Sequence, residues 1–121
     1  MQYMLIFREE EECFSARTDP ERSGAYWGAW GAYIAALNQA GIVVKGDGLQ
    51  PPHTATTVRL RDGRRDVQDG PHPDTKEQLG GYFVIEVPTL DAAIDWAARA
   101  PSASAGSVEV RPVLPPMAPP A

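Results

Sequence analysis

The order of strand and helix signals along the 121 residues predicts an α+β domain: strand, helix, strand, hairpin, strand, helix, strand. Three observations carry this. Short runs such as "QYMLIF" and "YFVIEV" are apolar and aromatic at strand length. Two longer segments repeat apolar residues at helical spacing, Tyr26, Trp30, Tyr33, Ile34 and Leu37 in one, Leu90, Ala93, Ile94 and Ala97 in the other. Between them, "RDGR" is the signature of a tight Asp-Gly hairpin turn.

The first strand is read at residues 2–7. In "TDPE", Thr18 has the place of an N-cap with Glu21 three residues on and Pro20 in the first turn, so a helix is expected from there to Gly41, a C-terminal stop. Gly24, Gly28 and Gly31 lie inside it, each costing about 1 kcal/mol relative to Ala, which implies a close neighbour on that side. "IVVKGDGL" is a strand bearing Asp47, and "TATTVRL" with "RDVQD" forms the hairpin. The loop "DGPHPDTKEQLGG" leads into the strand at 82–87, with Gly80 and Gly81 allowing a bulge or a close backbone approach. Thr89 caps the second helix, Pro101 lies just beyond its end, and 107–113 is the last strand. The order is that of a ferredoxin-like fold with an inserted hairpin over 1–114, followed by a proline-rich tail at 115–121.

Two helices cover one face of such a sheet, yet Tyr3, Leu5 and Phe7 alternate with the equally apolar Met4 and Ile6. A second copy stacked on the uncovered face is the economical solution, so a homodimer is expected. Gln2, Arg8, Glu86, Glu109 and Arg111 fall in phase on strand faces. They line a half-apolar ligand cavity at the seam or form salt bridges there.

A net charge of -5 opposes attraction to phosphate backbones, so no nucleic acid is expected as a partner. The stretch Arg59 to Arg65 reads as a solvated hairpin, and Glu9 to Glu12 as a solvated loop after the first strand. No apolar run approaches the roughly 20 residues of a membrane helix, and the lone Cys13 with a start lacking secretory features points to a reducing, cytoplasmic setting. The neighbouring glutamates raise the pKa of Cys13 and argue against a nucleophile.

The blocks "MQYMLIF", "GDGLQPPHTATTVR", "DGPHPDTKEQLGGYFVIEV", "LDAAIDWAARAP" and "GSVEVRPV" together resemble the YCII-related family, in the branch named for an Asp-Gly-Pro-Phe signature. The resemblance implies a ferredoxin-like subunit of a dimeric α/β barrel. It also implies relation to a dehydrochlorinase-like enzyme and to muconolactone isomerases, and a His and Asp acid-base pair with the histidine early in the first helix. Here "ERSGAYWGAWGAYIAAL" holds no histidine, and Asp47 is the candidate for the acidic position. Position 72 is His where the signature has Phe. The branch is also associated with extracytoplasmic-function sigma factors, which makes such a factor a further candidate partner.

His72, held between Pro71 and Pro73 and flanked by Asp69 and Asp74, is the best single acid or base, with Asp69 or Asp47 to orient it. The plain alternatives are a surface histidine for His72 and a turn-forming role for Asp69. Arg8 or Arg111 would hold an anionic group, and Trp30, Tyr82 and Glu86 complete the expected ligand contacts. His53 is a weaker candidate, and the spacing of His and Asp supports no metal or other cofactor. The readings are a cofactor-independent lyase or isomerase, a binding or accessory protein that turns nothing over, and a sigma-factor partner.

Overall fold

The computed structural model describes residues 1–71 and 75–116. Strand β1 (Gln2–Glu10) is followed by the short α1 (Glu11–Ala16), the long α2 (Ser23–Gln39), β2 (Val43–Gly48) and a 3-10 turn (Pro52–Thr54). The hairpin β3 (Thr56–Arg61) and β4 (Arg64–Asp69) comes next, then β5 (Glu77–Glu86), α3 (Leu90–Ala98), α4 (Ser102–Ala105) and β6 (Gly106–Pro112). The main sheet is antiparallel in the order β2-β5-β1-β6, and β3 with β4 forms a second, two-stranded sheet. The α+β, ferredoxin-like reading with an inserted hairpin holds.

Local chemistry explains most of the boundaries. Thr89 caps α3 by accepting a hydrogen bond from the Ala92 N–H at 3.1 Å. Gly41, at φ +70°, takes the left-handed conformation that ends α2. Asp62 and Gly63 both have positive φ, as a two-residue primed turn requires. Gly80 is the bulge: Phe7 faces Gly81 across the ladder while Arg8 already faces Leu79.

Four expectations are corrected. The run Glu9 to Glu12 is no loop, because β1 continues to Glu10 and α1 starts at Glu11. With β1 this long, Glu77, Gln78 and Leu79 find partners in Glu10, Glu9 and Arg8, and β5 starts at Glu77 rather than at Tyr82. Thr18 does not cap α2, which starts at Ser23 after Arg22 and has no side-chain cap: Asp19 closes the turn before it, its side chain accepting from the Glu21 N–H and its carbonyl from the Ser23 N–H, both at 2.8 Å. Finally, a Cβ at Gly24, Gly28 or Gly31 would meet nothing within 4 Å, so no neighbour among the described residues accounts for these glycines.

The core lies on one side of the sheet. Tyr3, Leu5, Phe7, Ile85 and Val87 pack against Trp30, Tyr33 and Leu37 of α2 and Ala93 and Ala97 of α3. The other face carries Met4 and Ile6, both half-buried, and Val84, paired with Met4 and only 1 % exposed, among polar side chains, and neither α2 nor α3 lies over it.

Candidate functional site

Alternation along β1 puts Glu9 on the same face as Tyr3, Leu5 and Phe7. It is therefore a carboxylate on the core side, 2 % exposed. The Tyr26 hydroxyl on α2 lies 2.8 and 3.0 Å from its two oxygens and donates to them. Arg17 approaches at 3.5 Å, and its Nε donates to the Tyr26 oxygen at 3.1 Å. The same guanidinium donates to the carbonyls of Leu49 at 2.5 Å and Gly80 at 3.2 Å, and lies over the rings of Phe14, Tyr26 and Trp27. One side chain thus ties together β1, the end of β2, the bulge of β5 and the first turns of α2. Gly80 makes room for it, since a Cβ there would come within 2.9 Å of a Glu9 oxygen and 3.2 Å of Arg17 Nη2.

Above this cluster is a cavity of about 700 Å³ between α2 and the sheet. Phe7, Tyr26, Trp27, Trp30, Ile34 and Phe83 supply its apolar wall, and Glu9 and Arg17 its polar floor. Burial, more than its bonds, pushes Tyr26 up to about 12. Tyr33, on the buried side of α2 with its hydroxyl donating to the Trp96 carbonyl at 2.9 Å, is likewise pushed to about 12 by burial. The folded protein keeps these two protons above pH 10, where the unfolded chain releases them, so folding stability falls as pH rises from about 10 to about 12. Denaturant midpoints at pH 9 and pH 11 should show this fall, and Tyr26→Phe should make it shallower.

The residues expected from sequence divide between two places. Trp30 is in the cavity wall, 8 % exposed, and its indole N–H has no partner among the described residues. Asp47 and Tyr82 border the cavity at its β2 edge, joined by a 2.7 Å hydrogen bond that holds the Tyr82 hydroxyl above its ordinary range. Their side chains alternate toward the uncovered face, opposite Phe83 and Gly46.

Arg8, Glu86 and Arg111 also belong to the uncovered face. Arg8 bonds Glu109 at 2.8 Å and Arg111 contacts the same carboxylate, which Arg8 above all keeps below the ordinary range. Glu86 pairs with the amino terminus at 3.3 Å. Asp69 is exposed at the end of β4, away from the cavity, and His53 is exposed in the 3-10 turn. His72 lies outside the described residues. Cys13 has its thiol pushed up by burial and then by Glu9, as its neighbours imply. No group of three metal-ligating side chains occurs among the described residues, and no helix there is long and apolar enough to cross a membrane.

Sequence reasoning missed Glu9, Arg17 and Tyr26. The available signal was the phase of Glu9 with Tyr3, Leu5 and Phe7, which marks a carboxylate in a core register.

Sheet order and helix placement define a ferredoxin-like α+β fold. The chain belongs to the YCII-related family, whose domain model matches residues 1–116. It is 45 % identical over 67 residues to an uncharacterised protein of Rhizobium meliloti (strain 1021), a match covering 54 % of each chain, so the aligned part spans about half of that relative. In fold it is similar to 5-chloro-2-hydroxyhydroquinone dehydrochlorinase from Burkholderia phenoliruptrix, solved in complex with 2,5-dihydroxybenzoquinone. The TM-score is 0.54 over 94 % of both chains, and the 15 % identity extends the likeness to the fold alone.

Proposed function

We propose that this protein binds a small, planar, oxygenated ring compound in the cavity beneath α2 and moves a proton on it without a cofactor, as a lyase or isomerase. The observation that carries this reading is a carboxylate, Glu9, 2 % exposed, set in the floor of an aromatic-walled cavity. A charge buried beside open space is costly to keep unless it is paired, and such groups concentrate at functional sites. Glu9 takes the proton from a hydroxyl or carbon next to a ring carbonyl. Tyr26, still protonated at neutral pH, donates a hydrogen bond, and Arg17 balances the charge. The dihydroxybenzoquinone held by the structural neighbour supports the ligand class. Two copies pairing through the uncovered sheet faces would place Asp47, Tyr82, Arg8 and Arg111 at the seam.

A second reading, binding without turnover, is favoured by two observations: both Glu9 oxygens are already engaged by Tyr26, and α2 carries no histidine. One experiment separates the two. A panel of hydroxyquinones is titrated against the fluorescence of Trp27 and Trp30, and each hit is followed by product analysis. Quenching with consumption is the expected result, with Glu9→Gln losing turnover by roughly 100-fold or more while affinity changes little. Quenching without consumption establishes the binding reading, and no quenching by any member overturns both. His72→Phe, the residue of the family signature, should leave turnover unchanged; a loss would give the proton transfer to the loop imidazole instead. The sigma-factor association implied by the family resemblance is a separate proposal, and failure to co-purify with any such factor counts against it.

A further inference from the structure

The protein's own bonds consume most of the hydrogen-bond donors that line the cavity. The Tyr26 hydroxyl gives its one hydrogen to Glu9, the Trp27 indole N–H donates to the Arg17 carbonyl at 3.0 Å, and Tyr82 spends its hydroxyl on Asp47. The Trp30 N–H has no partner among the described residues but is itself buried. Arg17, the cation of the lining, already has four partners in Glu9, the Tyr26 oxygen and the carbonyls of Leu49 and Gly80. What the floor still offers is acceptor capacity, the remaining lone pairs of the Glu9 carboxylate. The charges run the same way. The titratable groups of the lining are Glu9 on β1, Arg17 before α2, Tyr26 on α2, Asp47 on β2 and Tyr82 on β5. Both tyrosine hydroxyls are held above their ordinary range, Tyr26 by burial first and Tyr82 by its bond to Asp47, so both stay neutral near pH 7. Glu9 and Arg17 compensate each other, while Asp47 forms no ion pair among the described residues, which leaves the lining with an excess of one negative charge. Arg8 and Arg111, the arginines expected to hold an anionic group, lie on the other face of the sheet.

We infer, on the pocket reading above, that the cavity takes its ring ligand as the uncharged, hydroxyl-bearing acid and rejects the anion, with Asp47 setting this charge preference at the β2 edge. A neutral O–H donates to the Glu9 carboxylate and meets the acceptor the floor has left, in a bond strengthened by the charge on its acceptor. The deprotonated ligand would bring a second negative charge against Glu9 with no unpaired cation to meet it. Its enclosure would be walled by Phe7, Trp30, Ile34 and Phe83, where an unpaired charge is most costly. Thr18 and Gln50, the other polar side chains of the lining, carry no charge to offset it. The acid is also the form that the proposed proton transfer needs, since a base must have a proton to take.

The test uses the full chain and a series of hydroxyl-bearing ring compounds whose own pKa values are spread across the neutral range, each titrated against tryptophan fluorescence at pH values on both sides of its pKa. Affinity should be constant below each compound's pKa and fall by about tenfold per pH unit above it. The break should move from compound to compound with the ligand's pKa, as titration of a protein group could not make it do. At its limit the anion should bind at least about 100-fold more weakly than the acid. Asp47→Asn should narrow that gap by about 5-fold, and Asp47→Glu should restore it. A methyl ether of the tightest compound, uncharged but with no hydrogen to donate, should lose about 10-fold in affinity. Affinity that stays flat through the ligand's pKa, rises above it, or breaks at one pH for every compound would overturn the inference while the persisting quench leaves the pocket reading in place. An ether as tight as its parent would overturn the donated hydrogen bond, and an unchanged gap in Asp47→Asn would overturn the role of Asp47. No quenching by any compound at any pH would remove the pocket reading and this inference together.

Discussion

Glu9→Ala is expected to destabilise the protein by about 3–5 kcal/mol, the cost of breaking a buried ion pair by removing one partner. The change leaves the Arg17 guanidinium, whose side chain is 11 % exposed, without its carboxylate, and the Tyr26 hydroxyl without an acceptor. The physical cause is the stranded cation rather than a lost attraction, so removing the cation as well should relieve it. Arg17→Met in the Glu9→Ala background should therefore recover part of the loss, although the carbonyls of Leu49 and Gly80 would then lack their donor. Denaturant unfolding of the two singles and the double closes the cycle. A Glu9→Ala midpoint within the error of the parent would mean that the pair contributes nothing.

Gly106→Ala is expected to cost about 3 kcal/mol or more, at the upper end of overpacking. A Cβ at this position would lie 2.2 Å from the Arg8 carbonyl oxygen and 3.2 Å from the Glu9 Cα, so β1 and β6 would have to part. The obstacle is backbone, and no rotamer change relieves it. The strain falls beside Glu9, so the variant should also lose the cavity's ligand. Gly28→Ala and Gly31→Ala are the contrast, since neither new Cβ meets anything within 4 Å, and each should gain about 1 kcal/mol of helix stability. Thermal unfolding of the three variants measures the difference. A Gly106→Ala midpoint above either helix variant would contradict the close strand approach.

The fold was legible because its signals are local. Thr89 and Gly41 act on their own helix ends, and Asp62 with Gly63 on their own turn. Even the bulge at Gly80 was marked by a glycine pair. The errors arose where a local motif competed with pairing between distant segments. Thr18 had the right spacing for a cap, but Asp19 one residue later took the Glu21 N–H and the helix began only at Ser23. The acidic run looked solvated until β5 supplied Glu9 and Glu10 with strand partners.

What the sequence by itself determined is the α+β order, the hairpin turn, and a sheet with one face more apolar than its two helices can cover. Each of these follows from periodicity and turn chemistry within a few residues. Only the tertiary structure decided where the cavity lies and what floors it. Glu9, Arg17, Tyr26 and Gly80 come from a strand, a turn, a helix and a bulge, and only the sheet register and the seating of α2 bring them within hydrogen-bond reach. A buried ion pair carries no local signature, because its formation depends on which distant backbone excludes water from it.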